Sequence, residues 1–430
     1  MLVIINMTTL FMQLSKSFRS ATLATLASST LAQAGDAYSD AGSVEQTVER
    51  QPFSLADIPD AFVDIGKLYK NDENPIIQQF SVHGRINYQT ALLNGNDALG
   101  QDFRTRFSEV RRARLGTKFK FLNYFNLKFT ANLADDDRAT GGELDWGYDS
   151  IDEAYIGFDI KKAFGIESFD KLHIIYGVPK FDLGGEANES SKKIVTAERS
   201  GISNKVYVNG SRPTGFKLNA IKGDWDFVLG LYSTEENPEF DAKWDQGLAY
   251  QGTAGYQVNN ELKVVADFLY NDSDVDEENQ WDYQWAASLR ADYTAARWGV
   301  STEIIAGDNG DERHGNIDTA RQGHFWAAVV TPYYFLIEDK LQASFQYQYA
   351  GSSQGEGIQT TSRYLARDQG AGIDVNDGLG DEHHSFYLGL NYLISGHNAK
   401  ILTGIQYDDL KTPTGTITGT TLWFAYRTFF

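Results

Sequence analysis

Phe103-Arg104-Thr105-Arg106-Phe107-Ser108-Glu109-Val110-Arg111-Arg112-Ala113-Arg114-Leu115-Gly116-Thr117-Lys118-Phe119-Lys120-Phe121 reads as one long β-strand with two chemically different faces. Successive side chains of a strand point to opposite sides. The even positions therefore share a face: Arg104, Arg106, Ser108, Val110, Arg112, Arg114, Gly116, Lys118 and Lys120, of which six are cationic. Over its second half the opposite face runs Ala113, Leu115, Thr117, Phe119 and Phe121, which suits hydrocarbon. A soluble sheet would bury the apolar face in a core and wet the charged one. Against that, the same pattern recurs along nearly the whole chain with no amphipathic helices to cover it.

Alternating segments lie near residues 80–92, 103–121, 124–133, 150–159, 171–180, 214–222, 224–233 and 244–258. Others follow near 260–271, 281–294, 297–307, 323–335, 339–350, 383–394, 398–409 and 417–430. Short turns, such as Leu122-Asn123, Gly223, Asn259 and Ala295-Ala296, alternate with long polar connections, such as 134–149, 181–213 and 351–382. Alternating short and long connections mark an up-and-down barrel whose two rims face different compartments. The expected fold is all-β, a transmembrane antiparallel barrel of about sixteen strands, with short periplasmic turns and long extracellular loops.

Composition agrees. The 430 residues include 40 glycines, 13% aromatics, only 8 prolines and no cysteine, so neither a disulfide framework nor a thiolate metal site is available. The negative mean hydropathy fits a barrel that faces lipid on one side and water on the other. A run of eighteen apolar residues, the mark of a helical span, does not occur. Lys16 and Arg19, the mildly apolar stretch from Ala21 to Leu31 and the triplet Ala32-Gln33-Ala34 have the form of an export signal. Residues 1–34 are expected as signal peptide, 35–79 as a periplasmic extension with a short helix from Leu55 to Leu68, and 80–430 as barrel. Loss of 1–34 moves the net charge from −20 to about −22. Tyr88, Trp225, Tyr232, Trp244, Trp281, Trp298, Tyr392 and Tyr407 stand near strand ends, where aromatic girdles belong. Leu422, Phe424, Tyr426 and Phe430 share a face of the last strand, and the aromatic terminus looks like the assembly signal of outer-membrane proteins.

Five motifs add a resemblance. Arg111-Arg112-Ala113-Arg114-Leu115-Gly116, Glu153-Ala154-Tyr155-Ile156-Gly157, Tyr176-Gly177-Val178-Pro179-Lys180-Phe181, Ala197-Glu198-Arg199-Ser200 and Gly230-Leu231-Tyr232 come in the order of the phosphate-selective porin O and P family, which the chain resembles most clearly from Phe103 to Tyr232. That resemblance implies a bacterial outer-membrane porin, a sixteen-stranded barrel, usually trimeric, with the loop after the fifth strand folding inward. The matching loop is 181–213. Lys180-Phe181-Asp182-Leu183 lacks the proline that the family often carries at the entry to that loop.

A cationic lumen concentrates anions because a low-dielectric wall focuses the field into the water column. Arg104 and Arg106 are expected in the vestibule, Arg112 and Arg114 near the constriction, and Lys118 and Lys120 toward the periplasm. Lys128, Lys180 and Lys217 share the lumen face by parity, and Lys192, Lys193 and Arg199 lie in the inward loop. The expected function is passive diffusion of small anions, phosphate or polyphosphate among them, through a homotrimer embedded in outer-membrane lipid. A general or sugar-preferring porin is the alternative, with an outer-membrane hydrolase or adhesin behind it. Asp272-x-Asp274-x-Asp276 is followed by Glu277 where a calcium loop needs glycine, so an EF-hand is rejected. The sequence contains no Walker loop, Gly-x-Ser-x-Gly elbow or His-Glu-x-x-His helix, and no enzyme activity, cofactor, metal or nucleic-acid partner is expected.

Overall fold

The structure is a computed structural model. It describes residues 66–134, 147–207, 212–235, 244, 247–273, 279–314, 317–359, 363–367 and 369–430. These belong to one compact unit, Leu55–Phe430. The expected signal peptide, the extension up to residue 65, residues 135–146 and residues 274–278 lie outside the described residues.

Alternation of apolar and polar side chains gives strands, and with neither face able to close on a helix the sheet closes on itself. A short strand β1 (Lys67–Lys70) precedes β2 (Ile77–Asn96), β3 (Asp102–Phe121), β4 (Phe125–Asn132), β5 (Ile151–Asp159), β6 (Lys171–Val178), β7 (Gly215–Lys222) and β8 (Trp225–Ser233). Then come β9 (Gly247–Gln257), β10 (Leu262–Ser273), β11 (Trp285–Thr294), β12 (Trp298–Asp308), β13 (His324–Ile337) and β14 (Leu341–Ser352). A two-stranded ribbon, β15 (Ile358–Gln359) and β16 (Leu379–Gly380), sits in one long loop before β17 (Glu382–Ser395), β18 (Ala399–Lys411) and β19 (Thr416–Phe429). Each spanning strand pairs antiparallel with the next, and β19 pairs with β2 from Phe429↔Arg85 to Thr418↔Asn96, which shuts the cylinder at sixteen strands. Closure leaves no unpaired edge for lipid to meet.

The outer wall is apolar. Ile86, Leu115, Leu229, Ile304, Leu388, Leu390 and Phe424 are exposed on it. Near the short-turn end, rings from adjacent strands meet: Phe80 stacks on Phe119 at 4.4 Å, and Trp225 lies tilted against Tyr256 at 4.6 Å. Tyr232 and Trp281 depart from the expected girdle: both are fully buried inside the barrel against Phe181. The turn after β3 uses Leu122 and Asn123 with φ of 50° and 64°, the backbone of a tight hairpin whose twist matches its strands.

The first spanning strand begins at Ile77, ahead of the expected residue 80. Leu68, expected in a helix, lies in β1, whose Lys67 and Lys70 pair with Ser81 and Gln79. The reason is hydrogen-bond supply. β19 ends level with Gly84, and β1 takes over the partners of β2 below that point.

Candidate functional site

The lumen is shaped by an irregularity in β3. Val110 stands opposite Tyr88 and Arg112 opposite Asn87, so Arg111 has no opposite number. One inserted residue is a β-bulge, which breaks the strict alternation of faces. On the short-turn side of it, even positions point inward: Arg112, Arg114, Gly116 and Lys118, with Lys120 continuing the same face. On the other side the odd positions do, and Phe107 and Glu109 are buried inside. Arg104 and Arg106 are therefore on the outward wall, where Arg106 pairs with the exposed Leu92. The single cationic face expected from parity is thus two half-faces, and the two upper arginines are corrected out of the vestibule.

The connection between β6 and β7 folds into the lumen, as its side chains require. Phe181, Leu183, Ile194, Ala197, Ile202 and Val206 are all buried. Two short helices, α1 (Gly185–Asn188) and α2 (Gly201–Val206), lie in this segment. Phe181, Leu183, Ile202 and Val206 pack with Tyr232, Tyr283 and Phe325. Hydrogen bonds fix the rest of the loop. Glu303 accepts from Gly185 N at 2.6 Å, Gln348 accepts from Ile202 N at 2.9 Å, and Ser344 and Asn391 both donate to Val195 O. Lys400 donates to Ile194 O, and Arg427 to Ser191 O and Ala197 O. At Gly185 the backbone lies against the Arg290 side chain, whose flexible end would have to move to admit a Cβ. The passage is left against β2 to β5.

That passage is a cavity of about 720 Å³ between the loop and the arginine-bearing wall. Ten lysines and arginines border it against four acids, Asp149, Asp152, Glu153 and Glu189, so its local balance is positive in a chain whose net charge is −20. Many of the cations are held. Arg114 pairs with Asp152 at 2.7 Å, Arg212 with Asp152 at 3.0 Å and Glu153 at 3.1 Å, and Lys128 with Glu153. Arg111 reaches Glu198 at 2.9 Å. Lys217 pairs with Asp182, Lys180 donates to Asn188 O, and Arg199 donates to Glu186 O and Glu189 O. Lys192 stands 3.8 Å over the Phe429 ring. Arg112 borders the passage, and its buried Nη1 has no hydrogen-bond partner among the described residues. Lys193 is exposed and is not among the residues bordering the cavity.

Within the loop the charges perturb one another. Burial pushes the Lys180 ammonium down to about 7, with Arg212 adding repulsion. Burial, Arg85 and Lys118 push Lys192 down to about 8. Burial alone would raise the Glu198 carboxyl, but Arg111, Arg363 and Arg112 hold it well below the usual carboxylate range.

A family model described as phosphate-selective porin O and P matches residues 80–403. The chain belongs to this family. Among solved structures, the porin is similar to the outer membrane channel DcaP of Acinetobacter baumannii, with 11% identity over 84% of this chain and 100% of that one and a TM-score of 0.54. It is also similar to an anion-selective porin from Comamonas acidovorans, with 10% identity over 81% of this chain and 99% of that one and a TM-score of 0.50. At these identities the likeness is one of fold. No curated protein sequence matches the chain. The porin is a diffusion channel of the bacterial outer membrane, with short periplasmic turns and long extracellular loops.

Sequence parity found Arg112, Arg114, Lys118, Lys128 and Lys180 on the passage and missed three arginines that also border it: Arg85, Arg111 and Arg212. A signal for Arg111 existed. In the first half of the stretch neither face is purely apolar, since Glu109 and Arg111 share one and Arg104 and Arg106 the other. Such a pattern requires a change of parity midway.

Proposed function

We propose that this porin passes small anions in preference to cations, with phosphate-like oxyanions as the favoured solutes, and works as a homotrimer. The observation that carries this reading is the positive border of the passage, ten cations against four acids, Arg112 among them with its Nη1 making no hydrogen bond among the described residues. An anion entering there exchanges water for donors already in place, and the low-dielectric barrel wall strengthens each contact. Arginine supplies six of the ten bordering cations, and its planar fork matches two oxygens of a phosphate or carboxylate, whereas lysine acts as a point charge. The paired cations matter as well: Asp152 and Glu153 temper the field of Arg114, Arg212 and Lys128, so an ion is attracted strongly enough to enter and weakly enough to leave. The family's name and trimeric habit support the finer parts of this reading.

Charge reversal tests it. In planar bilayers the double variant Arg112→Glu, Arg114→Glu should lose anion preference or favour cations. Selectivity equal to that of the wild type would remove the two arginines from the mechanism, and a wild-type lumen that discriminates among neutral sugars and not among ions would favour the sugar-preferring alternative.

A further inference from the structure

The parity change in β3 leaves two arginines where an outer-membrane wall is expected to be greasy. Arg104 and Arg106 are exposed on the outward face, and neither makes an ion pair or hydrogen bond among the described residues. Their height on the barrel is fixed by register. Arg106 stands opposite Leu92, which in turn stands opposite Leu422, itself opposite Ile405; these three apolar side chains are exposed side by side on the outer wall. Two residues farther toward the long-loop end, Arg104 stands opposite Asn94, then Thr420, then Tyr407. The wall thus changes from aliphatic to polar at these two arginines. Asn94, Asn96, Arg104, Tyr407, Thr418 and Thr420 border a recess of about 540 Å³ at this level, closed on one side by Asp102, which accepts from Asn96 at 2.6 Å.

We propose that Arg104 and Arg106 bind the phosphate of an outer-leaflet lipid whose acyl chains lie on the Leu92, Leu422 and Ile405 column below. A phosphorylated glycolipid meets both halves of this surface. Its acyl chains cover the exposed aliphatics, its phosphate meets the guanidinium forks, and its sugar hydroxyls meet Asn94, Asn96 and the threonines. The sequence of surfaces along the barrel, apolar and then cationic and then polar amide, is that of such a lipid along the membrane normal. A second copy of the chain is the other occupant a cationic wall could take. It would supply a carboxylate at this height but would not need an aliphatic column directly beneath.

Native mass spectrometry of the detergent-solubilised porin with added bis-phosphorylated lipid A tests the assignment. The wild type should retain lipid A and should retain the enzymatically dephosphorylated form about tenfold less, the loss of one charge-assisted hydrogen bond or more. The double variant Arg104→Gln, Arg106→Gln should lose the same preference, while Arg104→Lys, Arg106→Lys keeps part of it. Equal retention of the two lipid forms by the wild type overturns the proposal without any variant. So does a glutamine variant that binds lipid A normally but falls apart into monomers, an outcome that would give the surface to a second copy.

Discussion

Arg111, the residue that the β3 bulge leaves without an opposite number, donates from Nε to Glu198 Oε1 at 2.9 Å and so ties the barrel wall to the inward loop. Glu198 also accepts from Gln89 at 3.0 Å. One carboxylate therefore gathers donors from two adjacent strands onto the loop that sets the width of the passage. A regular strand could not have presented Arg111 and Arg112 to the same lumen, and the bulge is the device that does.

Removing that carboxylate should loosen the loop while sparing the barrel. Glu198→Gln leaves buried guanidinium groups without their countercharge, at a cost of about 3 kcal/mol. Amide exchange in residues 194–203 should accelerate strongly, with β12 to β14 unchanged. Identical exchange in the loop would mean that the apolar contacts of Phe181 and Ile202 hold it without help.

The absence of native cysteine makes the facing of β3 directly measurable. Arg112→Cys and Lys118→Cys should lose single-channel conductance in a step when a bulky charged thiol reagent is added from the aqueous phase. Arg104→Cys and Arg106→Cys should react without a step. A conductance step at residue 104 or 106 would place those side chains in the lumen and refute the bulge.

Much of this architecture was legible from the residues because a barrel writes its two-sidedness into every strand. Leu388 and Leu390 alternate with Tyr387 and Asn391, and the sixteen expected segments each correspond to a spanning strand. The adjacent His383 and His384 obey the same alternation: His383 is buried between Gln348 and Asp408, and His384 meets Tyr347. What alternation cannot convey is a count error of one. A bulge changes facing without changing composition, so Arg104 and Arg106 were misplaced while Arg112 and Arg114 were not. Tyr232 and Trp281 were misplaced for another reason: whether a ring meets lipid or a plug depends on a loop distant in sequence, here the one carrying Phe181.

Rising pH should weaken the anion preference. The Lys180 and Lys192 ammonium groups are held below the ordinary lysine value, at about 7 and about 8. Both are charged at pH 6, and each becomes neutral as the pH climbs through its own value. The passage therefore loses two positive charges between pH 6 and 9, and the zero-current potential should move toward zero over that window. A flat profile would show both amines still protonated at pH 9.

The long loop before β17 also enters the lumen. Tyr364 is fully buried, stacked on Phe107 at 4.6 Å and on Trp423 at 5.1 Å, and its hydroxyl donates to Glu109 at 2.7 Å. Arg363 donates twice to the same carboxylate, at 2.7 and 2.8 Å. Tyr364→Ala should cost about 3 kcal/mol of loop docking. Single-channel conductance should rise and protease cleavage within 353–381 should appear, with the barrel still heat-modifiable on gels. Unchanged conductance with cleavage would show that this loop covers the vestibule without limiting flow.

The central claim is that the lumen field is positive although the chain is acidic, and the zero-current potential of the wild-type porin in a bilayer separating concentrated from dilute potassium chloride reads it directly. A potential of the sign set by chloride crossing faster than potassium is the predicted result. A potential set by potassium would contradict it and would mean that Asp152, Glu153 and the acids of the outer loops, not Arg112 and its neighbours, govern what passes.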